Sequence, residues 1–244
     1  MKKEKSVSQK IVKSVSAQFA QLMFFLLLLF LFRPGEKGLI YTIGWQLIFA
    51  CVLFTAIFNC HHKKPVKIFA ICTGIPALLC NWGSLIYQTP ILVLAGHFFA
   101  LVFLLVCTSS ILYLVIVRAR VTIETLRGAI CVYFMVGYIF TLVYVLLELL
   151  YPGSFQIAHL HSSAFLHSAY LADMVYFSFI TLLAIGYGDI TPLTPLGQNF
   201  VILEGIIGQF YLAILVARLV AVYSLREGKH LLAKELQFLH KDGK

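Results

Sequence analysis

One stretch of this chain, Thr181-Leu182-Leu183-Ala184-Ile185-Gly186-Tyr187-Gly188-Asp189, is suited to holding a cation by its backbone. Stripping water from a hard cation requires a cage of oxygens that replaces the hydration shell. Peptide carbonyls supply such oxygens without a formal charge that would hold the ion too tightly. Aiming successive carbonyls at one axis forces alternate residues into conformations that a Cβ disfavours, and Gly186 and Gly188 permit this. The side chains of Ile185 and Tyr187 then point away from the axis and pack as a cuff behind it. The predicted ligands are the carbonyls of Ala184, Ile185, Gly186 and Tyr187, with Gly188 completing the loop and Asp189 just beyond it.

The rest of the chain says what must position that loop. Of 244 residues, 61% are hydrophobic and only 12% are charged, about half the roughly 25% of an ordinary globular protein. Mean hydropathy is +0.92. Too little polar surface remains to cover a soluble fold, so secretion, nucleic-acid binding and cytosolic enzymology recede. Six runs approach the length of about 20 apolar residues that a bilayer demands: Val12–Phe32, Leu39–Phe58, Val66–Trp82, Ile91–Val117, Ala129–Leu150 and Phe200–Tyr223. The third is short and broken by Gly74 and Pro76. The basic start followed by an apolar run imitates a signal peptide, but Arg33-Pro34-Gly35 follows where a small-residue cleavage site would stand, so a retained first span is expected.

The formal charge of +9 lies at the ends and in the gaps between runs, as cytoplasmic loops require, rather than in a nucleic-acid groove. With both termini inside, sixteen Lys and Arg fall on the inner side and two, Arg33 and Lys37, outside. Arg218 lies about 27 Å along a helix from Phe200 and is expected to snorkel at the inner interface. The outer segment from Tyr151 to Gly197 carries no Lys or Arg and holds the apolar run Tyr170–Leu183, too short to span, with Ser168 as a possible N-cap. A short apolar helix, a Gly-rich turn and a return to the same side describe a re-entrant segment. Such backbone survives at membrane depth only against protein or a watery cavity.

The motif ending in Ile185-Gly186-Tyr187-Gly188-Asp189 resembles the pore signature of potassium channels, whose carbonyl-lined selectivity filter is the known precedent for the chemistry above. The resemblance runs without a gap from Tyr170 to Tyr223. It includes the aromatic pair Tyr176-Phe177, Pro192 and Gly197, and Gly208 falls where the family often has a gating hinge glycine. It implies an all-α membrane protein with six transmembrane helices, a re-entrant pore helix and a filter loop, assembled as a homotetramer. K+ ions would sit at Ala184, Ile185, Gly186 and Tyr187, with no other cofactor. Thr181, Asp189 and Tyr176 would support the filter, Tyr176 by a hydroxyl bond to Asp189; an unpaired Asp189 would instead concentrate cations. The family usually has Thr where this chain has Ala184, which removes a hydroxyl ligand from the innermost site. Ile180 is apolar where some relatives place a carboxylate.

The remaining residues are read more plainly. Ile91–Val117 contains no Lys or Arg, so little voltage dependence is expected. Arg118, Arg120, Glu124 and Arg127 make a connector with an Arg120–Glu124 pair, and could also act as a lever on the inner helices. Glu204 is an ionisable group inside a span and therefore a candidate for bonding behind the filter; Glu148 reads as an outer-interface residue. His159, His161 and His167 read as solvated loop histidines, with a pH or metal sensor as the other reading. Cys51, Cys60, Cys72, Cys80, Cys107 and Cys131 read as small hydrophobes. Leu225, Leu232, Leu236 and Leu239 predict a short amphipathic tail helix.

The expected organisation is a tail and four-helix bundle over 1–117, a connector over 118–127, a pore domain over 128–223 and a cytoplasmic tail over 224–244. The expected protein is not an enzyme but a passive, voltage-insensitive potassium channel of the plasma or bacterial inner membrane, with membrane lipid as its surroundings and no nucleic-acid partner. A poorly selective monovalent cation channel and a non-conducting transporter or structural subunit are the alternatives.

Overall fold

Long apolar runs satisfy their own backbone hydrogen bonds only as helices once water is gone, and the chain is helical wherever those runs occur. The computed structural model describes residues 19–32, 39–59, 64–87, 89–117, 123–157 and 168–242. The helices are α1 (Phe19–Leu31), α2 (Leu39–Asn59), α3 (Lys64–Tyr87), α4 (Pro90–Val117), α5 (Ile123–Leu150), the short α6 (Ser168–Leu182) and α7 (Pro195–Asp242). Two three-residue strands, β1 (Phe155–Ile157) and β2 (Ile190–Pro192), pair antiparallel on either side of α6. Five helices, α2 to α5 and α7, are long and apolar enough to cross a membrane. Of the first expected run, residues 12–18 lie outside the described residues.

Three elements differ from the expectation. The third run is a full 24-residue helix despite Gly74 and Pro76. Pro76 removes only one backbone bond, and Gly74 brings α3 so close to α4 that a Cβ there would stand 3.1 Å from the Phe103 ring. Helix α5 begins at Ile123, ahead of the apolar run, because Glu124 and Arg127 pair at 3.0 Å along its first turns; Arg120 lies outside the described residues. Helix α7 runs unbroken for 48 residues, so the expected span and tail helix are one rod. The small sheet is a further addition to the all-α expectation.

One buried core joins α1, α2, α4 and α5 to the short α6. Leu22 and Leu26 of α1, Val52 and Ala56 of α2, Phe103 and Cys107 of α4, Val132 and Met135 of α5 and Phe179 of α6 belong to it. Helix α1 is tied to α5 by the Tyr138 hydroxyl, which donates to Leu26 O at 3.3 Å. Its Phe30 ring lies 4.8 Å from that of Phe179. Cys107 and Cys131 are buried as expected, whereas Cys72 faces outward and Cys60 lies outside the described residues. His159, His161 and His167 also lie outside them.

Candidate functional site

The loop from Leu183 to Asp189 is held at both ends by backbone bonds that the sequence fixes locally. At the loop's N-terminal end α6 runs out of helical partners, and its last carbonyls accept from the loop. Thr181 O takes the Ala184 N–H at 2.9 Å, and Ile180 O takes the Ile185 N–H at 2.8 Å and the Gly186 N–H at 3.4 Å. At the loop's C-terminal end the chain enters β2, where Ile190, Thr191 and Pro192 register with Ile157, Gln156 and Phe155. Leu193 N–H then donates to Ser154 O at 2.8 Å.

Between these anchors the backbone alternates in hand. Ala184 has φ 56°, Gly186 φ 56° and Gly188 φ 80°, while Ile185 and Tyr187 keep negative φ. Left-handed φ is open to glycine at little cost. At Ala184, the only non-glycine with positive φ among the described residues, it costs on the order of 1–3 kcal/mol. The alternation therefore begins two positions before the first glycine, at Ala184.

Ala184 to Gly188 all lie exposed on one edge of the chain. The cuff expected behind the loop is not made within the chain: Ile185 is 49% and Tyr187 70% exposed. Nor does the expected bond from Tyr176 reach Asp189 Oδ1, which is buried without a hydrogen-bond partner among the described residues. Phe177 instead joins Tyr144 and Phe155 in an aromatic cluster, with ring centroids 5.3 and 5.6 Å away.

Several residues that hold the loop carry no motif. Phe179 presses its ring against Gly137 of α5, where a Cβ would come within 2.8 Å of it. The Tyr133 hydroxyl donates to Leu182 O at 3.2 Å, and Tyr211 donates to Ala129 O at 2.7 Å. Gly208 sits against the end of α6: a Cβ there would meet Leu182 O at 2.6 Å. Close approach of two backbones gives this position a packing reason for glycine, and α7 passes through it as continuous helix.

The ionisable groups are placed more firmly than expected. Glu148 is 2% exposed, buried inside the protein rather than facing outward. Its carboxylate accepts the Gly153 N–H at 2.5 Å and the Phe155 N–H at 3.0 Å, closing the turn from α5 into β1. Arg218 does not merely snorkel, because its guanidinium donates to Val115 O at the end of α4. Glu204 is fully buried behind α6 and bonds Ser178 at 2.5 Å, with Tyr144 as its second partner.

Comparison with known proteins points to the same segment. Residues 144–224 match the family described as ion channel. The chain is 43% identical over 67 residues, 28% of its length, to a protein of Oryza sativa subsp. japonica named two pore potassium channel c. It covers 14% of that protein's length. No solved structure matches. The part of the chain that folds around the alternating loop, residues 144–224, is therefore similar to ion channel domains, and the relative matched over 67 residues is named a potassium channel.

Proposed function

We propose that this chain is one subunit of a homotetrameric, potassium-selective channel that conducts passively, with both termini cytoplasmic. The observation that carries the reading is the alternation of φ at Ala184, Gly186 and Gly188 on an exposed edge. A backbone alternating in hand turns successive carbonyls toward one side, and four such edges around an axis make stacked rings of oxygen. K+ is held by the carbonyls of Ala184, Ile185, Gly186 and Tyr187, with Gly188 at the outer rim. Helix α6 is the re-entrant pore helix, its C-terminal carbonyl end directed at the inner end of the filter, where partial negative charge favours a cation.

Incomplete packing supports the tetramer. Ile185 and Tyr187 lack a cuff in their own chain, and Ile202, Ile206, Phe210 and Ile214 of α7 are 48–65% exposed. A neighbouring subunit covers both sets. Thr181 supports the filter through its carbonyl, and Asp189 concentrates cations at the outer mouth. The absence of Lys and Arg between Pro90 and Val117 supports weak voltage dependence.

The test is reconstitution of the full chain in liposomes under potassium and sodium gradients. Potassium flux blocked by barium, with sodium excluded, is expected. Equal sodium flux establishes the second reading, a poorly selective monovalent cation channel, which the missing hydroxyl at Ala184 favours. A monomer or dimer without flux overturns both.

A further inference from the structure

Glu204 of α7, Tyr144 of α5 and Ser178 of α6 are each 0% exposed. Three oxygen–oxygen contacts link them: Tyr144 Oη to Glu204 Oε2, Ser178 Oγ to Glu204 Oε1 at 2.5 Å, and Ser178 Oγ to Gly137 O at 2.7 Å. A peptide carbonyl brings no proton. Tyr144 and Ser178 bring one each. An ionised carboxylate therefore leaves two protons for three contacts, and two lone pairs face each other in a site closed to water. A carboxylic acid supplies the third. Glu204 then donates through Oε1 to Ser178, Ser178 donates to the Gly137 carbonyl, and Tyr144 donates to Oε2.

The surrounding charges agree. The ionisable side chains on the packed elements are Glu124, Arg127, Cys131, Tyr133, Tyr138 and Glu148 of α5, Tyr170, Asp173 and Tyr176 of α6, and, in the membrane part of α7, Tyr211 and Arg218. The two cations are remote. Arg218 lies about 21 Å from Glu204 along α7, and Arg127 about 25 Å from Tyr144 along α5. A buried carboxylate without a counter-ion is costly.

From this geometry we infer that Glu204 is held as the neutral acid and is a positioning residue, whose proton relay locks the inner helix α7 to α5 and α6 behind the filter. The relay enters α6 at Ser178, two residues before Ile180, whose carbonyl holds Ile185 and Gly186. Glu204 also lies one turn from Gly208, which rests on Leu182. A shift of α7 is thereby passed to the inner end of the filter. Its effect on conduction rests on the channel reading, whereas the protonation does not.

The experiment has two arms on the purified full chain. Infrared difference spectra between wild type and Glu204→Gln should show a carboxylic-acid carbonyl stretch that the variant lacks; a carboxylate band in its place overturns the inference. In potassium flux, Glu204→Gln should match wild type, because an amide can donate to Ser178 and accept from Tyr144. Glu204→Leu leaves the Tyr144 hydroxyl unpaired, while Ser178 keeps its bond to Gly137 O, and should lower flux by about tenfold, the effect of one unmade buried hydrogen bond. If Glu204→Leu assembles poorly, Tyr144→Phe removes a single donor and should lower flux in the same direction. Loss of flux in Glu204→Gln, or full flux in both Glu204→Leu and Tyr144→Phe, overturns the positioning role. If wild type carries no flux while the acid band is present, the channel reading fails and the protonation stands.

Discussion

Gly208→Ala separates packing from hinging. The added Cβ would stand 2.6 Å from Leu182 O and 2.9 Å from Leu182 Cδ1. The side chain can rotate away, but the carbonyl cannot, because it belongs to the end of α6 and accepts the Tyr133 hydroxyl. To restore an ordinary contact α7 must recede by at least about 0.8 Å, an overpacking that costs about 1–3 kcal/mol. The helix propensity of alanine returns up to about 1 kcal/mol. The expected net loss of up to about 2 kcal/mol corresponds to a fall in melting temperature of up to roughly 8 °C, read by thermal unfolding of the purified protein. Gly44→Ala in α2, where a Cβ meets nothing within 4 Å, is the matched control and should be neutral or slightly stabilising. Potassium flux should fall as well, since Leu182 lies two residues before Ala184. A Gly208→Ala protein that melts as high as Gly44→Ala refutes the packing argument; altered flux at that unchanged stability would mark a hinge instead.

Other perturbations follow from the same geometry. Ala184→Thr adds a hydroxyl at the proposed innermost ion site and should strengthen barium block, measured as its inhibition of potassium flux; unchanged block counts against the site assignment. Glu148→Gln turns amide hydrogens toward the Gly153 or Phe155 N–H and should cost about 1–3 kcal/mol, seen in thermal melts and in faster hydrogen exchange over 153–157. Arg218→Ala leaves Val115 O without that donor and should destabilise by about 1–2 kcal/mol, whereas a purely snorkelling arginine would be replaced by Lys at no cost. Single-channel open probability should change less than about twofold between roughly −100 and +100 mV, because no basic residue of α4 lies in the field.

Much of this was legible from residue types. The long apolar runs gave the helices, since backbone in hydrocarbon has few alternatives, and the spacing of Gly186 and Gly188 located the alternating loop. Illegible features were those that depend on which atoms meet in space. Gly137 and Phe179 are 42 positions apart, and neither has a motif to announce that the ring fills the missing Cβ. Glu148 read as an interface residue because its partners are backbone N–H groups, which leave no trace in side-chain pattern. The left-handed turn at Ala184 was hidden for the opposite reason: an alanine signals no special conformation, and only the bonds from Thr181 and Ile180 impose one. The ends of α5 and α7 overran the apolar runs because charged residues past the membrane edge continue a helix without interrupting its backbone.

The unbroken α7 has a mechanical side. From Gly208, where it bears on the base of the loop, to Asp242, the rod extends 34 residues, or about 51 Å. A tilt of about 5° pivoting at that bearing point would carry the far end through roughly 4 Å. Read in reverse, a modest push on the distal end arrives at the fulcrum as a smaller displacement and a larger force, delivered against Leu182 at the end of α6.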